Sequence, residues 1–354
     1  MRLLFLTRKF PPSVGGMEKL SAELAQALQQ QAPTTVIAWG RSQLGLPLFL
    51  PVAFMRAAWA IRMRGVSHVH LGDALLAPLG LALKRLFGVR VSATACGLDV
   101  TYRPAWYQAV VPPALARLDH VVAISEATRE ACLARGVAPE RLSVIPPGIE
   151  SAAYAQAADA AALARIAGRA LAGQRVLLTV GRLVRRKGVA WFVDAVMPRL
   201  PADVVYLVAG EGPERPRIEA AIAAHGLGDR VRLLGRVSDD DVHTLYAGAH
   251  VFVMPNVPVP GDMEGFGIVA IEAASAGLPV VASDLEGIRA ALADPATGRL
   301  VAAENPLAFV GALDAALAAT PAEREAAQRA VREHFGWPSA ARRYLDHIGG
   351  TPHA

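Results

Sequence analysis

The feature that most constrains this chain is an alternation that occurs twice. In the first half, short apolar, β-branched runs fall at 3–6, 34–38, 68–71, 89–95 and 120–124, with helix-like patterns at 17–30, 51–64, 74–87 and 126–135 between them. The alternation stops after Ile145-Pro146-Pro147-Gly148, and an alanine-dominated stretch over 151–172 follows. It then restarts, with strand-like runs at 175–180, 204–209, 231–234, 251–254 and 279–282 and helical patterns at 189–199, 214–224, 239–248 and 268–275. Strands alternating with helices of this length build parallel sheets whose faces are covered by crossover helices. The spacing therefore predicts two doubly wound, Rossmann-like α/β domains, 1–150 and 151–336. A final helix is expected over 337–354, crossing back to the first domain. A chain of 354 residues is too long for one ordinary core and suits two.

Two cysteines, Cys96 and Cys132, fit a reduced compartment better than a disulfide framework. No signal peptide is visible at the start, and the expectation is a cytoplasmic protein. The apolar stretch 44–55 is shorter than the ~20 residues of a membrane span. It also contains Pro47 and Pro51, so a helix is expected only from Pro51 and no span is assigned. The net charge of +5 is uneven: residues 1–150 hold 16 Lys and Arg against 9 Asp and Glu, a balance of +7, and the remainder 20 against 22. A basic first half points to an anionic partner there. The apolar run near Leu44, followed by Arg56, Arg62 and Arg64, makes the inner face of a membrane a candidate surface.

Phosphate chemistry is written at three strand ends. The run 175–180 leads into Gly181-Arg182-Leu183-Val184-Arg185-Arg186-Lys187-Gly188, a basic, glycine-bracketed turn where a doubly wound sheet places its anion site. Lys187 is one of only four lysines among 36 basic residues, which suggests that a compact ammonium is required at this position. The second element is Glu264-Gly265-Phe266-Gly267, opening a helix that contains Glu272. Its glycines permit close backbone approach and its first amides are free for an anion, while the two carboxylates suit sugar hydroxyls. The third is Gly15-Gly16, after the first strand. It is not GxGxxG, and no acidic residue ends the second strand, so a dinucleotide reading is poor.

Taken in order, these elements resemble the retaining GT-B glycosyltransferases of family four, over nearly the whole chain. The resemblance implies two Rossmann-like domains facing a central cleft, the first taking the acceptor and the second the nucleotide. It implies catalytic roles for Arg182, Lys187 and Glu264. Donor binding falls to Gly15, Gly16, Gly181, Gly212, Arg236, Val237, Gly265, Phe266, Gly267 and Glu272. His70, Cys96, Gly97 and Asp99 are cleft candidates for the acceptor. Many relatives carry histidine where this chain has Cys96, and a neutral thiol cannot reproduce an imidazole's two-ended hydrogen bonding. The implied reaction moves a hexosyl group from a UDP- or GDP-sugar to a lipid-linked or glycan acceptor, in envelope glycolipid or polysaccharide synthesis. The alternative is a donor-binding protein with lost or altered catalysis. No metal, cofactor or nucleic acid is expected. Asp239-Asp240-Asp241 follows Ser238 as a helix-capping box rather than a metal site. His68 and His70 point to one face of a strand with no third ligand in view.

Overall fold

The computed structural model describes residues 1–13, 15–41 and 43–349. The chain divides into two compact units, each built on one six-stranded parallel sheet. In the first, β1 (Leu3–Thr7), β2 (Thr34–Ala38), β3 (His68–Leu71), β4 (Arg90–Ala95), β5 (His120–Ala123) and β6 (Leu142–Val144) lie in the order β2-β1-β3-β4-β5-β6. In the second, β7 (Arg175–Val180), β8 (Val204–Ala209), β9 (Val231–Gly235), β10 (Val251–Met254), β11 (Val280–Ser283) and β12 (Arg299–Val301) lie in the order β12-β11-β10-β7-β8-β9. Both orders reverse once. The reversal falls between β1 and β3 in the first sheet and between β7 and β10 in the second, and such switch points are where open α/β sheets bind ligands.

The strands are buried on both faces, which is why they read as continuous apolar runs rather than alternating ones. One face of the first sheet packs on the helices Leu46–Arg64, Ala77–Phe87 and Ala105–Leu115, which share a single core. The other face packs on the helices Gly16–Gln31 and Trp337–Gly349. The final helix thus returns to the first unit, where Trp337 Nε1 donates to Glu23 (2.9 Å) and Arg343 donates to the Val144 carbonyl (2.7 Å). Residues 350–354 of the expected helix lie outside the described residues. A Cβ on Gly148 would stand 2.4 Å from the Trp337 ring, so the glycine of the Pro-Pro-Gly segment is what admits that indole.

Two expectations need correction. The helix expected from Pro51 begins at Leu46 and runs 19 residues to Arg64. Pro47 sits in its first turn, where no amide is required, and Pro51 forfeits a single bond, back to the Pro47 carbonyl. By length and composition this helix is long and apolar enough to cross a membrane, contrary to the shorter stretch read from the sequence. Secondly, Gly261–Phe266 groups with the first unit rather than with 151–336. The alanine-rich stretch holds a short turn at Ser151–Tyr154 and a helix at Ala160–Ala167 capped by Asp159.

Candidate functional site

At the switch point of the second sheet, β7 is followed by Gly181, whose φ of 149° is open to glycine, and the chain enters the basic turn. Arg185–Lys187 forms one 3-10 turn, closed by Gly188 at φ 66°. This turn is locked across the switch point. A Cβ on Gly188 would stand 1.8 Å from the Pro255 carbonyl oxygen, and Val257 N–H donates to the Arg186 carbonyl at 2.9 Å. From the other side Gly212, after β8, packs its backbone on Leu183, where a Cβ would meet the carbonyl oxygen at 2.3 Å. Gly210 presses equally closely on Gly181. Four glycines therefore hold the turn in place. Lys187 folds back over Gly181, its Cε 3.7 Å from where a Cβ would be, while Arg182 is exposed. Arg236 and Val237 follow β9, after Gly235 at φ 72°, with Arg236 exposed.

Glu272 lies inside the helix Ile268–Ser275, which Gly267 opens in the left-handed region, and is buried. Its two oxygens accept from two buried hydroxyls, Oε1 from Tyr154 (2.8 Å) and Oε2 from Tyr246 (3.0 Å). The carboxylate is thus oriented by a tyrosine pair that the sequence motifs do not single out. The available signal was Tyr154, the sole aromatic of the alanine-rich stretch. Burial, with the adjacent carboxylate next, pushes the Tyr246 phenol well above its ordinary value, so it remains a donor.

In the first unit two of the expected segments meet. A Cβ on Gly265 would stand 2.3 Å from the Cys96 carbonyl oxygen, and one on Gly97, at φ 90°, would stand 3.1 Å from Gly265 Cα. The backbones of Cys96-Gly97 and Gly265 are in direct contact, which only paired glycines allow. Glu264 is part-buried beside them in sequence, and Phe266 is buried edge-on to Phe335 (5.9 Å). Cys96 is buried, and burial raises its thiol well above the usual value, with the Asp99 carboxylate adding to the effect. It is a neutral thiol. Gly15 caps the helix Gly16–Gln31, and a Cβ added there would meet Glu18 Oε2 at 2.4 Å. A Cβ on Gly16 would meet nothing within 4 Å.

Two acceptor candidates are relocated by the structure. His70 is fully buried, its Nδ1 at 2.7 Å from Ser92 Oγ and its Nε2 at 2.9 Å from Thr94 Oγ1, between Phe5 and Tyr344. Both ring nitrogens are spent inside the sheet, and it is a packing residue. Asp99 is also buried: Oδ1 accepts from Cys96 N–H (2.8 Å) and Oδ2 from Ala74 N–H (3.0 Å), so it ties the turn after β4 to the turn after β3. Burial raises its carboxyl to about 6.

The groups at the switch point of the first sheet carry no motif in the sequence. Arg8 follows β1, Asp73 follows β3, and they pair at 3.0 Å. Asp73 is fully buried, its Oδ2 has no hydrogen-bond partner among the described residues, and burial outweighs Arg8 in raising its carboxyl. Beside them Lys9 pairs with Glu18 at 2.8 Å. The available signal was a charged pair placed directly after the first strand. Asp239-Asp240-Asp241 opens its helix as a cap, Ser238 accepting from Asp241 N–H at 3.1 Å, and Asp241 pairs with Arg165 at 3.0 Å.

Residues 14–153 match the family model described as Glycosyltransferase Family 4, and residues 174–319 the one described as Glycosyl transferases group 1. Among curated proteins, the D-inositol 3-phosphate glycosyltransferase of Xylanimonas cellulosilytica is 35% identical over 246 residues, covering 64% of this chain and 58% of the relative. The D-inositol 3-phosphate glycosyltransferase of Salinispora tropica is 34% identical over 236 residues, 60% of this chain and 46% of the relative. The chain thus spans about half the length of the curated relatives it matches. Among solved structures, HepE of Anabaena in complex with UDP superposes with a TM-score of 0.79 at 18% identity, over 99% of this chain and 100% of that one. Sucrose-phosphate synthase of Thermosynechococcus elongatus superposes with a TM-score of 0.79 at 24% identity, over 97% of both.

Proposed function

The chain belongs to the glycosyltransferases, with a family 4 and a group 1 domain on a GT-B fold, and from that premise we propose that it moves a hexosyl group from a UDP- or GDP-sugar to a lipid-linked or glycan acceptor with retention of configuration. The second unit takes the nucleotide and the first the acceptor. The observation that carries the reading is the basic turn at the second switch point. Arg182 and Lys187 stand at the end of β7 in a turn held by Gly181, Gly188, Gly210 and Gly212. Fixed cations of this kind stabilise charge that develops on a leaving diphosphate, without reorganising at the moment of reaction. They do so here in place of a metal. Glu272, oriented by Tyr154 and Tyr246, accepts from the ribose hydroxyls. Glu264 orients the sugar, and Gly15, Gly16, Gly265 and Gly267 allow backbone to come close to the donor. The Anabaena protein was solved with UDP, which supports a nucleotide donor of this class. The reaction retains configuration if the acceptor's proton passes to the leaving phosphate on the same face.

The second reading, a donor-binding protein with lost catalysis, rests on Cys96. Its thiol is buried and neutral, and it offers a weak donor where the family resemblance implies histidine. The test is transfer and donor hydrolysis with Lys187→Ala beside the wild type. Turnover should fall by at least about a hundredfold with unchanged thermal unfolding. Near-normal turnover in the variant refutes the diphosphate assignment. Nucleotide binding without turnover in the wild type, across UDP- and GDP-sugars, selects the second reading.

A further inference from the structure

The exposed apolar side chains are gathered on one layer of the first unit. Of the twelve large hydrophobic residues exposed among the described residues, ten lie between Leu44 and Val110. Leu44, Leu48, Val52, Met55, Trp59 and Met63 recur every three or four residues and form one outward stripe along the helix Leu46–Arg64. The opposite stripe, Phe49, Ala53, Ala57 and Ala60, is buried in the core beneath. The helix Ala105–Leu115 repeats the arrangement, with Trp106 and Val110 outward and Tyr107 and Val111 in the same core. The helix Ala77–Phe87, with Leu86 outward, touches both.

The charge on this layer is predominantly positive, with Lys84 paired to Asp119 at its margin (2.8 Å). Residues 41–117 contain nine Lys and Arg and only two acidic residues, Asp73 and Asp99, both of which are buried. Arg41, Arg56, Arg62, Arg64, Arg85 and Arg103 are exposed. Arg64 lies over the Trp59 ring (4.7 Å) and Arg62 over Phe87 (5.4 Å), so cations border the apolar stripe. Two clefts of about 340 and 240 Å³ run between β2 and the helix. Arg41 and Arg56 line the first, Arg56 and Arg64 the second.

We propose that this helical layer is a docking face for an anionic phospholipid bilayer, lying in the plane of the surface. The stripe from Leu44 to Met63 enters the boundary between headgroups and acyl chains, and Arg41, Arg56 and Arg64 engage lipid phosphates at the two clefts. The layer carries both signals that reversible surface binding needs, buried apolar area and positive charge. Although the helix Leu46–Arg64 has the length and composition of a span, its buried stripe belongs to the core, and extracting it would open that core. A second copy of this chain is a poor occupant, because two such faces would set arginines against arginines. Nucleic acid satisfies the charge but leaves five protruding apolar side chains on one helix, and Leu44 on the turn before it, without a counterpart. The surface does not depend on the proposed transfer reaction, and binding is read without donor or acceptor.

The experiment is vesicle flotation of the intact protein with phosphatidylcholine alone and with phosphatidylglycerol mixed in, at low and high salt. Binding is expected on the mixed vesicles only and should be released by salt. Arg41→Gln with Arg56→Gln should weaken it about 30-fold, since each basic side chain near an anionic surface is worth about fivefold. Leu48→Ser with Trp59→Ser should abolish it. Both variants should keep wild-type thermal unfolding and nucleoside diphosphate binding. The proposal is overturned by absence of flotation, by equal binding to both vesicle types, or by variants that bind as the wild type does. Salt-stable dimers that the Leu48→Ser, Trp59→Ser variant cannot form, seen without flotation, would overturn it too and assign the stripe to a second copy.

Discussion

Lowering the pH from 7.5 to 5 should loosen the first unit specifically around the final helix. His68 and His70 are buried on β3, His68 Nε2 at 2.8 Å and His70 Nδ1 at 2.7 Å from the same Ser92 Oγ. Thr94 continues the row to the Tyr344 hydroxyl at 3.3 Å on the final helix. Phe5, His120, His347, Arg90 and Asp119 complete the surroundings. Desolvation by burial is the largest cause in both cases. It lowers His68 to about 4, with Arg90 adding to it, and His70 to about 3, with His68 adding to it. An unfolded histidine titrates at 6.5, so between 6.5 and about 4 the unfolded chain binds protons that the folded chain refuses. Stability is therefore complete above pH 6.5 and is lost as the pH falls toward 4. At pH 5 each of the two costs about 2 kcal/mol, together about 4. Asp99 acts in the opposite direction. Its folded value of about 6 lies above the unfolded 3.8, so it gains a proton in the folded state, which offsets about 1 kcal/mol. Over these three groups the loss is about 3 kcal/mol, a factor of more than about 100 in the opening equilibrium, and His120, which burial lowers to about 4, adds to it in the same direction. Amide exchange, corrected for its intrinsic pH dependence, should show this loss at 68–71, 90–95 and 337–349. His70→Gln should remove about one proton from the slope. An opening free energy in those segments that is flat between pH 7.5 and 5, or a His70→Gln variant with the wild-type slope, would refute the buried neutral histidines.

Further outcomes follow at the site itself. Glu264→Gln should still bind free nucleoside diphosphate by calorimetry, whereas Glu272→Gln should not; equal loss in both would remove the division between sugar and ribose. Tyr246→Phe leaves the buried Glu272 Oε2 without its 3.0 Å donor, and should cost about 1–3 kcal/mol in denaturant unfolding while weakening nucleotide binding. Cys96→Ala should keep most of the turnover that Arg182→Ala loses, because the thiol is neutral and buried; abolished turnover with intact donor binding would make the sulfur a working group.

Much of this is legible because parallel strands, buried on both faces, print themselves as apolar runs. The runs at 34–38, 68–71, 175–180, 204–209 and 251–254 match the strands residue for residue. What stays hidden has identifiable causes. The segment 98–115 holds helices at Leu98–Thr101 and Ala105–Leu115, but Pro104, Pro112 and Pro113 disguise the periodicity. β6 and β12 have three residues each, too few to show a period. The helix from Leu46 looks shorter than it is because Pro51 reads as a start, whereas two prolines within its first six residues cost it little. His70 reads as a cleft residue because strand alternation fixes which face a side chain takes, not what covers that face. The final helix covers it, and Tyr344 arrives from 274 residues away in sequence (344 − 70).

The two units differ in what their switch points contain, and the difference argues for a division of labour. In the second, every ionisable group of the turn after β7 is a cation, and glycines at 181, 188, 210 and 212 remove side chains from around it. Such a place suits an anion that arrives with its charge and leaves with it. In the first, carboxylates stand among the cations, Arg8 with Asp73 and Lys9 with Glu18. A buried carboxylate with one oxygen unpartnered suits hydroxyl donors better than phosphate. The sheet orders alone would make either unit a nucleotide binder. The proposed division between a diphosphate in the second and an acceptor in the first rests on the side chains at the reversals, cations alone in one turn and cations with carboxylates in the other.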